Sequence, residues 1–226
     1  MKVNEHERFY NRTYYQSSKD SDILEDKKLA AVFKENMPFG KKILDVGCGP
    51  GVTLRILTRN NSVFGIDLVD EYLRMAKENG YYRTIKCNVE DGLVFNSSSF
   101  DIVVCTDVIE HIFNTEFLGQ EINRVLKRGG YAILNVPNHY ALPYRINLLL
   151  GKGINRHQDI IEDWNYWHIR FFTWKSWNRY LKKMKFKIVE FYPVPIILNK
   201  LYLPEPIARK YPNLFSSRFL VKVVKM

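Results

Sequence analysis

Short apolar runs alternate with polar stretches of helical spacing between residues 42 and 136. The apolar runs are KILDV (42–46), SVFGI (62–66), RTIKC (83–87), FDIVVC (100–105) and YAILNV (131–136). The stretches between them, VTLRILTRN, DEYLRMAKEN and TEFLGQEINRVLKR, predict helices, and the last two end at Gly80 and Gly129, as helix C-termini often do. Strands alternating with helices predict an α/β fold with a doubly wound parallel sheet, whose ligands bind at the carboxyl ends of the strands.

The pattern changes on both sides of this region. Residues 21–36 place Ile23, Leu24, Leu29, Ala30 and Phe33 near one face, which predicts an amphipathic helix. Residues 137–170 are rich in proline and glycine and predict a loop with one short helix, YRINLLL. Insertions at this edge of a sheet commonly shape a substrate pocket.

Regular structure is predicted again after the insertion. TWKSWNRYLKKM (173–184) predicts a helix capped by Thr173, and FKIVEFY (186–192) and SSRFLVKVVKM (216–226) predict two further strands, seven in all. We therefore predict one domain over residues 1–226. It comprises an N-terminal helical cap (1–40), a ligand-binding core (41–136), a substrate-side insertion (137–170) and a C-terminal helix with strands (171–226).

Composition restricts the class of protein. Of the 226 residues 46% are hydrophobic, yet no apolar run approaches the roughly 18 residues that a membrane span requires, so a transmembrane segment is not predicted. The start, MKVNEHERFYNRTYY, lacks the apolar stretch of a secretory signal. The three cysteines are widely spaced and suggest neither a disulfide framework nor a zinc site. A cytoplasmic location fits these features best.

Charge is distributed unevenly along the chain. The formal net charge is +10, and it comes from −3 over residues 1–119 and +13 over residues 120–226. A positive surface attracts anions, so nucleic acid, anionic lipid head groups or a phosphorylated substrate are candidate partners, and peripheral membrane contact is compatible with it. A solvated basic face explains the charge equally well, since no run contains five consecutive lysines or arginines.

The stretch ILDVGCGPG (43–51) contains the strongest chemical signal. A strand, a glycine turn and a helix start bring backbone N–H groups to one point, where they favour negative charge. No Lys-Ser or Lys-Thr follows, which disfavours a nucleotide-hydrolysing loop, and Val52 replaces the last glycine of the dinucleotide fingerprint. Asp45 would oppose a pyrophosphate but suits an ammonium group, so the pattern favours a nucleoside with an amino-acid tail.

A second acidic residue supports a nucleoside ligand. Asp67 ends the second predicted strand, close to the spacing of about 20 residues at which an acidic side chain binds ribose hydroxyls in related folds. The alternative role for Asp67 is the N-cap of the helix DEYLRMAKEN, and both roles can hold at once. S-adenosylmethionine combines a ribose, an ammonium group and a carboxylate without any phosphate.

Four motifs resemble those of class I S-adenosylmethionine-dependent methyltransferases, in the small single-domain group that includes quinone-biosynthesis O-methyltransferases. They are ILDVGCGPG, GIDLVDEYLRMAK, FDIVVCTDVIEHI and LKRGGYAILNVPN, covering roughly residues 40–140; HIRFFTWKSWNRYL and PNLFSSRFLVKVVK match more weakly. The resemblance implies S-adenosylmethionine as cofactor. It also implies a Rossmann-like, mostly parallel seven-stranded sheet with helices on both faces and an antiparallel last strand.

The resemblance also assigns cofactor-binding positions. It implies that the methionine end of the cofactor contacts Asp45, Gly47, Cys48 and Gly49, and that the ribose contacts Asp67. It implies that the adenine contacts Leu68, Asn88 and Val89, and that the transferring methyl lies beside Thr106 and Asp107. Family members usually have an aspartate where this chain has Asn88. The amide oxygen can accept the same hydrogen bond from the adenine amino group, with Glu90 or Asp91 as alternatives.

Methyl transfer requires mainly that the acceptor is aligned with the methyl and that water is excluded. A hydroxyl acceptor must also lose a proton, and His111, His139 and His168 are the candidate bases. Each histidine has a structural alternative as a packed side chain. Glu110 is predicted to be a solvated or loop-ordering carboxylate, and no metal is predicted because no Asp, Glu and His residues have ligand spacing.

The aromatic residues after residue 160 are predicted to pack in a core, with stacking on a planar acceptor as the alternative. They are Trp164, Tyr166, Trp167, Phe171, Phe172, Trp174 and Trp177. By analogy with the family, Tyr14 and Tyr15 are candidates for closing over the cofactor.

The sequence thus favours an enzyme that O-methylates a small or carrier-linked acceptor, with an anionic acceptor compatible. One alternative is an RNA methyltransferase, although no RNA-binding module is recognisable and C-T-D-V stands where N-methylating enzymes have D/N-P-P-Y. Another is a cofactor-binding module without catalysis. A nicotinamide dehydrogenase is excluded by Asp45 and Val52.

Overall fold

A computed structural model describes residues 29–33, 38–153, 166–198 and 201–226. Its central sheet consists of β1 (Lys42–Val46), β2 (Ser62–Asp67), β3 (Arg83–Lys86), β4 (Phe100–Thr106), β5 (Leu126–Asn135), β6 (Phe186–Pro195) and β9 (Ser216–Lys225). The order across the sheet is β3-β2-β1-β4-β5-β9-β6. Strands β1 to β5 are parallel, while β9 is antiparallel to both β5 and β6. The predicted Rossmann-like sheet with an antiparallel last strand is confirmed.

Helices and a small hairpin complete the described part of the chain. The helices are α1 (Asp70–Glu78), α2 (Thr115–Val125), α3 (Leu142–Leu149), α4 (Trp174–Lys183), α5 (Glu205–Lys210) and α6 (Pro212–Phe215). The hairpin pairs β7 (Ile197–Leu198) with β8 (Leu201–Tyr202). The predicted cap of α4 is confirmed, because Thr173 Oγ1 accepts from the Ser176 amide and Ser176 Oγ accepts from the Thr173 amide.

Two predicted helices are shorter than the periodicity suggests. VTLRILTRN forms only a 3₁₀ turn at Arg55–Leu57, and the Leu57 carbonyl at its end accepts from Asn61 Nδ2 and from the Asn60 amide. Helix α2 ends at Val125 rather than near Gly129. Strand β5 begins at once, since Leu126 pairs with Phe100 and the amide of Ser99 donates to the Val125 carbonyl.

Each face of the sheet is covered by a separate hydrophobic layer. One layer includes the fully buried Trp177 together with Phe172 and Trp174, so the predicted core role is confirmed for these three. It is wrong for Phe171, which is exposed, and Tyr166 and Trp167 lie outside the layer beside His139 and His168. The other layer contains Leu29 and Phe33 from the helical residues 29–33. Predictions that concern residues 21–28, Tyr14, Tyr15 and Trp164 lie outside the described residues.

Gly51 packs against α1 so closely that the glycine loop depends on it. A Cβ on Gly51 would lie 2.8 Å from the Ala76 backbone, and the residue has φ +73°. We expect Gly51→Ala to lower the free energy of unfolding by about 2–5 kcal/mol, which combines left-handed strain with overpacking. Urea denaturation measures this loss.

Gly129 provides the matched control for this substitution. It has φ +78°, but a Cβ added there would meet no atom within 4 Å, so Gly129→Ala should cost only the conformational part, about 1–2 kcal/mol. Equal losses for the two variants would show that the contact with α1 does not matter.

Candidate cofactor and catalytic site

Two adjoining cavities open at the carboxyl ends of β1 and β4, where the parallel sheet is expected to bind ligands. The first has a volume of about 360 Å³, and the predicted residues that line it are Gly47, Gly49, Asp67, Leu68, Asn88, Val89, Thr106 and Asp107. The second has a volume of about 270 Å³ and is lined by Asp45, Cys48 and four residues common to both: Gly47, Gly49, Thr106 and Asp107. The structure therefore brings all ten predicted cofactor residues together.

Asp67 connects the glycine loop to the end of β2. Its carboxylate accepts hydrogen bonds from the amides of Gly49, at 2.9 Å, and Val69, at 3.0 Å. Burial raises the pKa of Asp67, and these two amides counteract that rise in part. Asp67 is not the helix N-cap that the sequence suggested, because Val69 occupies the N-cap of α1 without a side-chain bond.

Asp45 lies deeper, with only 6% of its surface exposed. The Tyr81 hydroxyl donates to Asp45 Oδ2 at 2.6 Å. Burial raises the pKa of Asp45 to about 7, and the charge of Asp67 adds to the rise while the Tyr81 bond opposes it. A cationic ligand group beside this carboxyl would favour its ionised form.

The predicted adenine end is held by local hydrogen bonds. Asn88 Oδ1 accepts from the Glu90 amide at 3.1 Å and so caps the 3₁₀ turn Val89–Asp91. The Glu90 carboxylate accepts from the Phe113 amide at 2.7 Å and fastens the loop that carries Phe113 over the cavity. Asn88 and Glu90 both line this cavity, and Asp91 does not.

Asp107 forms the wall between the two cavities and has two partners that no sequence pattern predicted. Arg218 from β9 makes an ion pair with its carboxylate, and Asn135 Nδ2 donates to the same oxygen at 3.1 Å. Asp107 itself adopts φ +57°, an uncommon conformation for a non-glycine residue. No local signal marks Arg218, because only the placement of β9 beside β5 brings it here.

The three candidate histidines lie in one cluster. His139 Nε2 and His168 Nδ1 are 2.8 Å apart, and the Tyr166 hydroxyl lies 2.7 Å from the first and 2.9 Å from the second. The rings of His111 and His168 meet edge to face with their centroids 4.8 Å apart. Only His111 lines the first cavity, while the other two line neither.

Burial favours the neutral form of two histidines in this cluster. It lowers the pKa of His111 to about 4 and that of His139 to about 4, so both imidazoles are neutral near pH 7. His111 Nδ1 lies 3.1 Å from the Trp167 carbonyl oxygen, which can only accept a hydrogen bond. The proton of neutral His111 is therefore on Nδ1, and the lone pair is on Nε2.

The prediction that Glu110 is a solvated carboxylate is wrong, because its side chain is buried. Its exposed fraction is 0%, and neither carboxylate oxygen has a hydrogen-bond partner among the described residues. Burial raises the pKa of Glu110 well above its usual range, and the neighbouring charge of Asp107 raises it further. The Glu110 carbonyl accepts hydrogen bonds from the amides of Ile169 and Arg170. These bonds hold the preceding residue, His168, close to Glu110.

The chain is similar to known methyltransferases in sequence and in fold. Residues 44–134 match the family described as "Methyltransferase domain". The rat mitochondrial ubiquinone biosynthesis O-methyltransferase is 35% identical over 124 residues, which cover 51% of this chain and 36% of that protein. The corresponding enzyme of Actinobacillus pleuropneumoniae is 32% identical over 147 residues, covering 57% of this chain and 63% of that one. The chain thus spans about a third of the mammalian relative and under two thirds of the bacterial one.

A solved structure agrees over nearly the whole chain. It is a SAM-dependent methyltransferase of Thermotoga maritima, described as a possible histamine N-methyltransferase, with a TM-score of 0.69 and 17% identity over 97% of this chain and 99% of that one. At that identity the likeness concerns the fold alone.

The cavities, the glycine loop with its two aspartates and the matched family together define the class of protein. Residues 44–134 match the methyltransferase-domain family, and the fold is that of class I S-adenosylmethionine-dependent methyltransferases, so S-adenosylmethionine is the cofactor that family and fold imply. In sequence the chain is similar to the ubiquinone biosynthesis O-methyltransferases. Within the described residues, every helix is too short or too polar to cross a membrane.

Proposed function

We propose that this protein transfers the methyl group of S-adenosylmethionine to a hydroxyl oxygen of a small or carrier-linked acceptor. The observation that carries the proposal is the contact cluster of His111, His139 and His168, in which His111 lines the first cavity and contacts the Trp167 carbonyl through Nδ1 rather than through Nε2. Sulfonium is already a good leaving group, so a methyltransferase needs a proton acceptor chiefly when its substrate is a hydroxyl. A cluster of this kind supports O-methylation.

The cofactor is proposed to lie across both cavities. Asp45 would bind the ammonium group, and the loop of Gly47, Cys48 and Gly49 would follow the methionine chain. The Asp67 carboxylate already accepts two amide hydrogen bonds, and its oxygens have further lone pairs for the two ribose hydroxyls.

The rest of the cofactor site follows from this placement. Leu68 and Val89 would pack against the faces of the adenine and Asn88 would lie at its edge, since all three line the first cavity. Thr106 and Asp107, which line both cavities, would then stand beside the transferring methyl.

The reaction is a direct displacement. The acceptor oxygen forms a bond to the methyl carbon, the carbon–sulfur bond breaks, and S-adenosylhomocysteine leaves with the electron pair. We propose that the hydroxyl proton passes to the cluster of His111, His139 and His168, of which His111 is nearest to the cofactor because it lines the cavity.

Three exposed basic residues lie away from the cavities, which favours a small acceptor over a polyanion bound at that place. Arg128, Lys185 and Lys187 are exposed at the start of β5 and β6. Because β5 and β6 run parallel to β4, this edge of the sheet is opposite the one that carries the cavities. A polyanion bound there would not reach the methyl. We place the reaction in the cytoplasm or at its membrane face, as the sequence predicts.

The test uses methyl-labelled S-adenosylmethionine with a series of phenols, catechols and aliphatic alcohols. We expect mass spectrometry to find the label on an acceptor oxygen. Amines and a total RNA fraction serve as parallel acceptors. Label found only on the amines would contradict O-methylation, and label found only in RNA would contradict a small or carrier-linked acceptor. Tight binding of S-adenosylmethionine with no transfer to any acceptor would favour the non-catalytic alternative.

A further inference from the structure

Tyr81 connects the end of α1 to the deepest acidic group of the site. Its side chain is 2% exposed, and its hydroxyl donates to Asp45 Oδ2 at 2.6 Å. The two residues are 36 positions apart in the chain, and Tyr81 follows the turn at Gly80 after α1. A buried tyrosine hydroxyl usually finds a hydrogen-bond partner, and here the partner is a carboxyl that lines the second cavity.

Two glycines leave the space that the Tyr81 ring occupies. Gly65 on β2 is the sheet partner of Asp45, so its missing side chain leaves a gap next to the carboxyl. A Cβ on Gly65 would lie 2.9 Å from Tyr81 Cδ1, and a Cβ on Gly51 would lie 2.7 Å from Tyr81 Cε2. The glycine loop and β2 therefore hold the ring from two sides, with its hydroxyl at Asp45.

The Tyr81 hydroxyl remains a hydrogen-bond donor near neutral pH. Burial raises the pKa of Tyr81 well above its usual range, and the charge of Asp45 raises it further. The other titratable or charged groups around Asp45 in the described part of the chain are Asp67, Cys48, Cys105, Asp107 and Arg218. Burial raises the pKa of both thiols, so they stay neutral, and Arg218 is bonded to Asp107. Within the described residues, Tyr81 thus supplies the hydrogen bond to the Asp45 carboxyl.

We propose that Tyr81 is a positioning residue for the cofactor, because its hydroxyl holds the Asp45 carboxylate ready for the ammonium group of S-adenosylmethionine. The inference rests on the placement of that ammonium group under the proposed function, and deepens it by assigning what prepares Asp45 to receive it. Tyr81 lines neither cavity, so it acts through the carboxylate and not through a contact with the cofactor.

The hydrogen bond has two effects on the Asp45 carboxylate. It favours the ionised form and so opposes burial, which raises the pKa of Asp45 to about 7. It also fixes the position of Oδ2, while the carboxylate keeps further lone pairs with which to accept from an ammonium group. A ligand that lacks the ammonium group gains from neither effect. Tyr81 therefore contributes to selectivity for the amino-acid tail of the cofactor.

Tyr81→Phe keeps the ring, removes the hydroxyl and tests this role. Calorimetric titration with S-adenosylhomocysteine is carried out on both chains at about pH 6.5 and about pH 8.5. This product has the same amino-acid tail as the cofactor and lacks the alkali-labile sulfonium. Because both chains are measured at each pH, the titration of the ligand's own amino group cancels.

Losing a hydrogen bond to a charged group should move the midpoint of the pH profile of binding upward by about one to two pH units. We expect Tyr81→Phe to bind S-adenosylhomocysteine about 10-fold or more weakly than wild type at the lower pH. The difference should shrink at least severalfold at the higher pH, where Asp45 ionises to a large extent even without the hydroxyl. A tyrosine that only fills space would give a loss that does not depend on pH.

Two controls separate positioning from packing. Tyr82→Phe removes the hydroxyl of the neighbouring exposed tyrosine, which lines neither cavity, and should leave the affinity unchanged at both pH values. 5′-Methylthioadenosine lacks the amino-acid tail and should bind Tyr81→Phe as tightly as wild type. In the Asp45→Asn background, Tyr81→Phe should have little further effect on S-adenosylhomocysteine binding, since it acts through the carboxylate. Circular dichroism confirms that each variant is folded.

The outcomes separate this inference from the proposed function. A folded Tyr81→Phe variant with wild-type affinity at the lower pH overturns the role of Tyr81, and so does a loss that is equal at both pH values or that extends to 5′-methylthioadenosine. Wild-type affinity in Asp45→Asn would overturn the ammonium placement and the inference together. Absence of methyl transfer to every hydroxyl would count against the proposed function alone, because no acceptor takes part in these titrations.

Discussion

Replacing Asp45 with asparagine is expected to weaken S-adenosylmethionine binding at neutral pH by several hundred-fold or more, because it removes the buried carboxylate that the ammonium group would meet. Breaking a buried ion pair by removing one partner costs about 3–5 kcal/mol. Asparagine keeps the size of the side chain, and its oxygen can still accept from the Tyr81 hydroxyl. Calorimetric titration measures the affinity of each variant.

The wild-type protein should show a matching dependence on pH. The pKa of Asp45 is raised to about 7, and only the ionised form attracts the ammonium group. Affinity should therefore rise as the pH increases from about 5 to about 7 and then level off, by up to tenfold per pH unit. Asp45→Asn should bind weakly with no such dependence. A wild-type affinity that does not change over this range would contradict the role of Asp45.

The same substitution should stabilise the ligand-free chain at alkaline pH. The folded pKa of Asp45, about 7, exceeds its unfolded value of 3.8, so its contribution to stability is present in acid and is lost as the pH rises through about 7. Above that pH the ionised carboxylate costs on the order of 4 kcal/mol, which asparagine avoids. Urea denaturation should find Asp45→Asn more stable than wild type near pH 8. A less stable variant would mean that Asp45 is already balanced by a cation.

Asp67→Ala should weaken S-adenosylmethionine binding by roughly 10- to 100-fold, corresponding to the loss of about 1–3 kcal/mol from hydrogen bonds to buried ribose hydroxyls. The substitution also releases the amides of Gly49 and Val69, so the glycine loop loses its attachment to β2. Calorimetry with S-adenosylmethionine and with methionine separates the two effects. A ribose role alone leaves methionine binding unchanged, whereas a loosened loop weakens both ligands.

Asp70→Ala is the matched control for Asp67→Ala. Asp70 is an acidic residue at the start of α1, and its side chain is exposed and paired with Lys86. We expect its removal to leave the affinity for S-adenosylmethionine unchanged. Unchanged affinity in the Asp67 variant as well would contradict the proposed ribose contact.

The cofactor half of the site was predictable because its signals are local. KILDV, SVFGI and FDIVVC are continuous apolar runs typical of buried parallel strands, and each became a strand at or within a residue of the predicted bounds. Asp45 and Asp67 sit at the ends of two adjacent parallel strands, and their side chains therefore meet at one edge of the sheet. Periodicity and spacing along the chain were enough for this part.

Periodicity gave the wrong helix end where a segment distant in sequence forms hydrogen bonds with the backbone of the predicted helix. Helix α2 was predicted to continue beyond Val125, and a helical period over TEFLGQEINRVLKR justified that extension. The carbonyls of Arg124 and Val125 instead accept from the amides of Ser98 and Ser99, and the chain enters the sheet. Periodicity describes one segment and cannot include the hydrogen bonds of another.

What the sequence determined by itself was the succession of strands and helices along the chain, the glycine loop and the pair of aspartates, since each depends on neighbouring residues and on a sheet whose geometry is common to the fold. What only the tertiary structure decided was the inner end of the site. His168 and Arg218 are far from Glu110 and Asp107 in sequence, and no spacing rule connects them. Their meeting depends on the hydrogen bonds of the 166–170 segment to the turn after β4 and on the pairing of the antiparallel β9 with β5. Burial at this end of the site lowers the pKa of His111 and of His139.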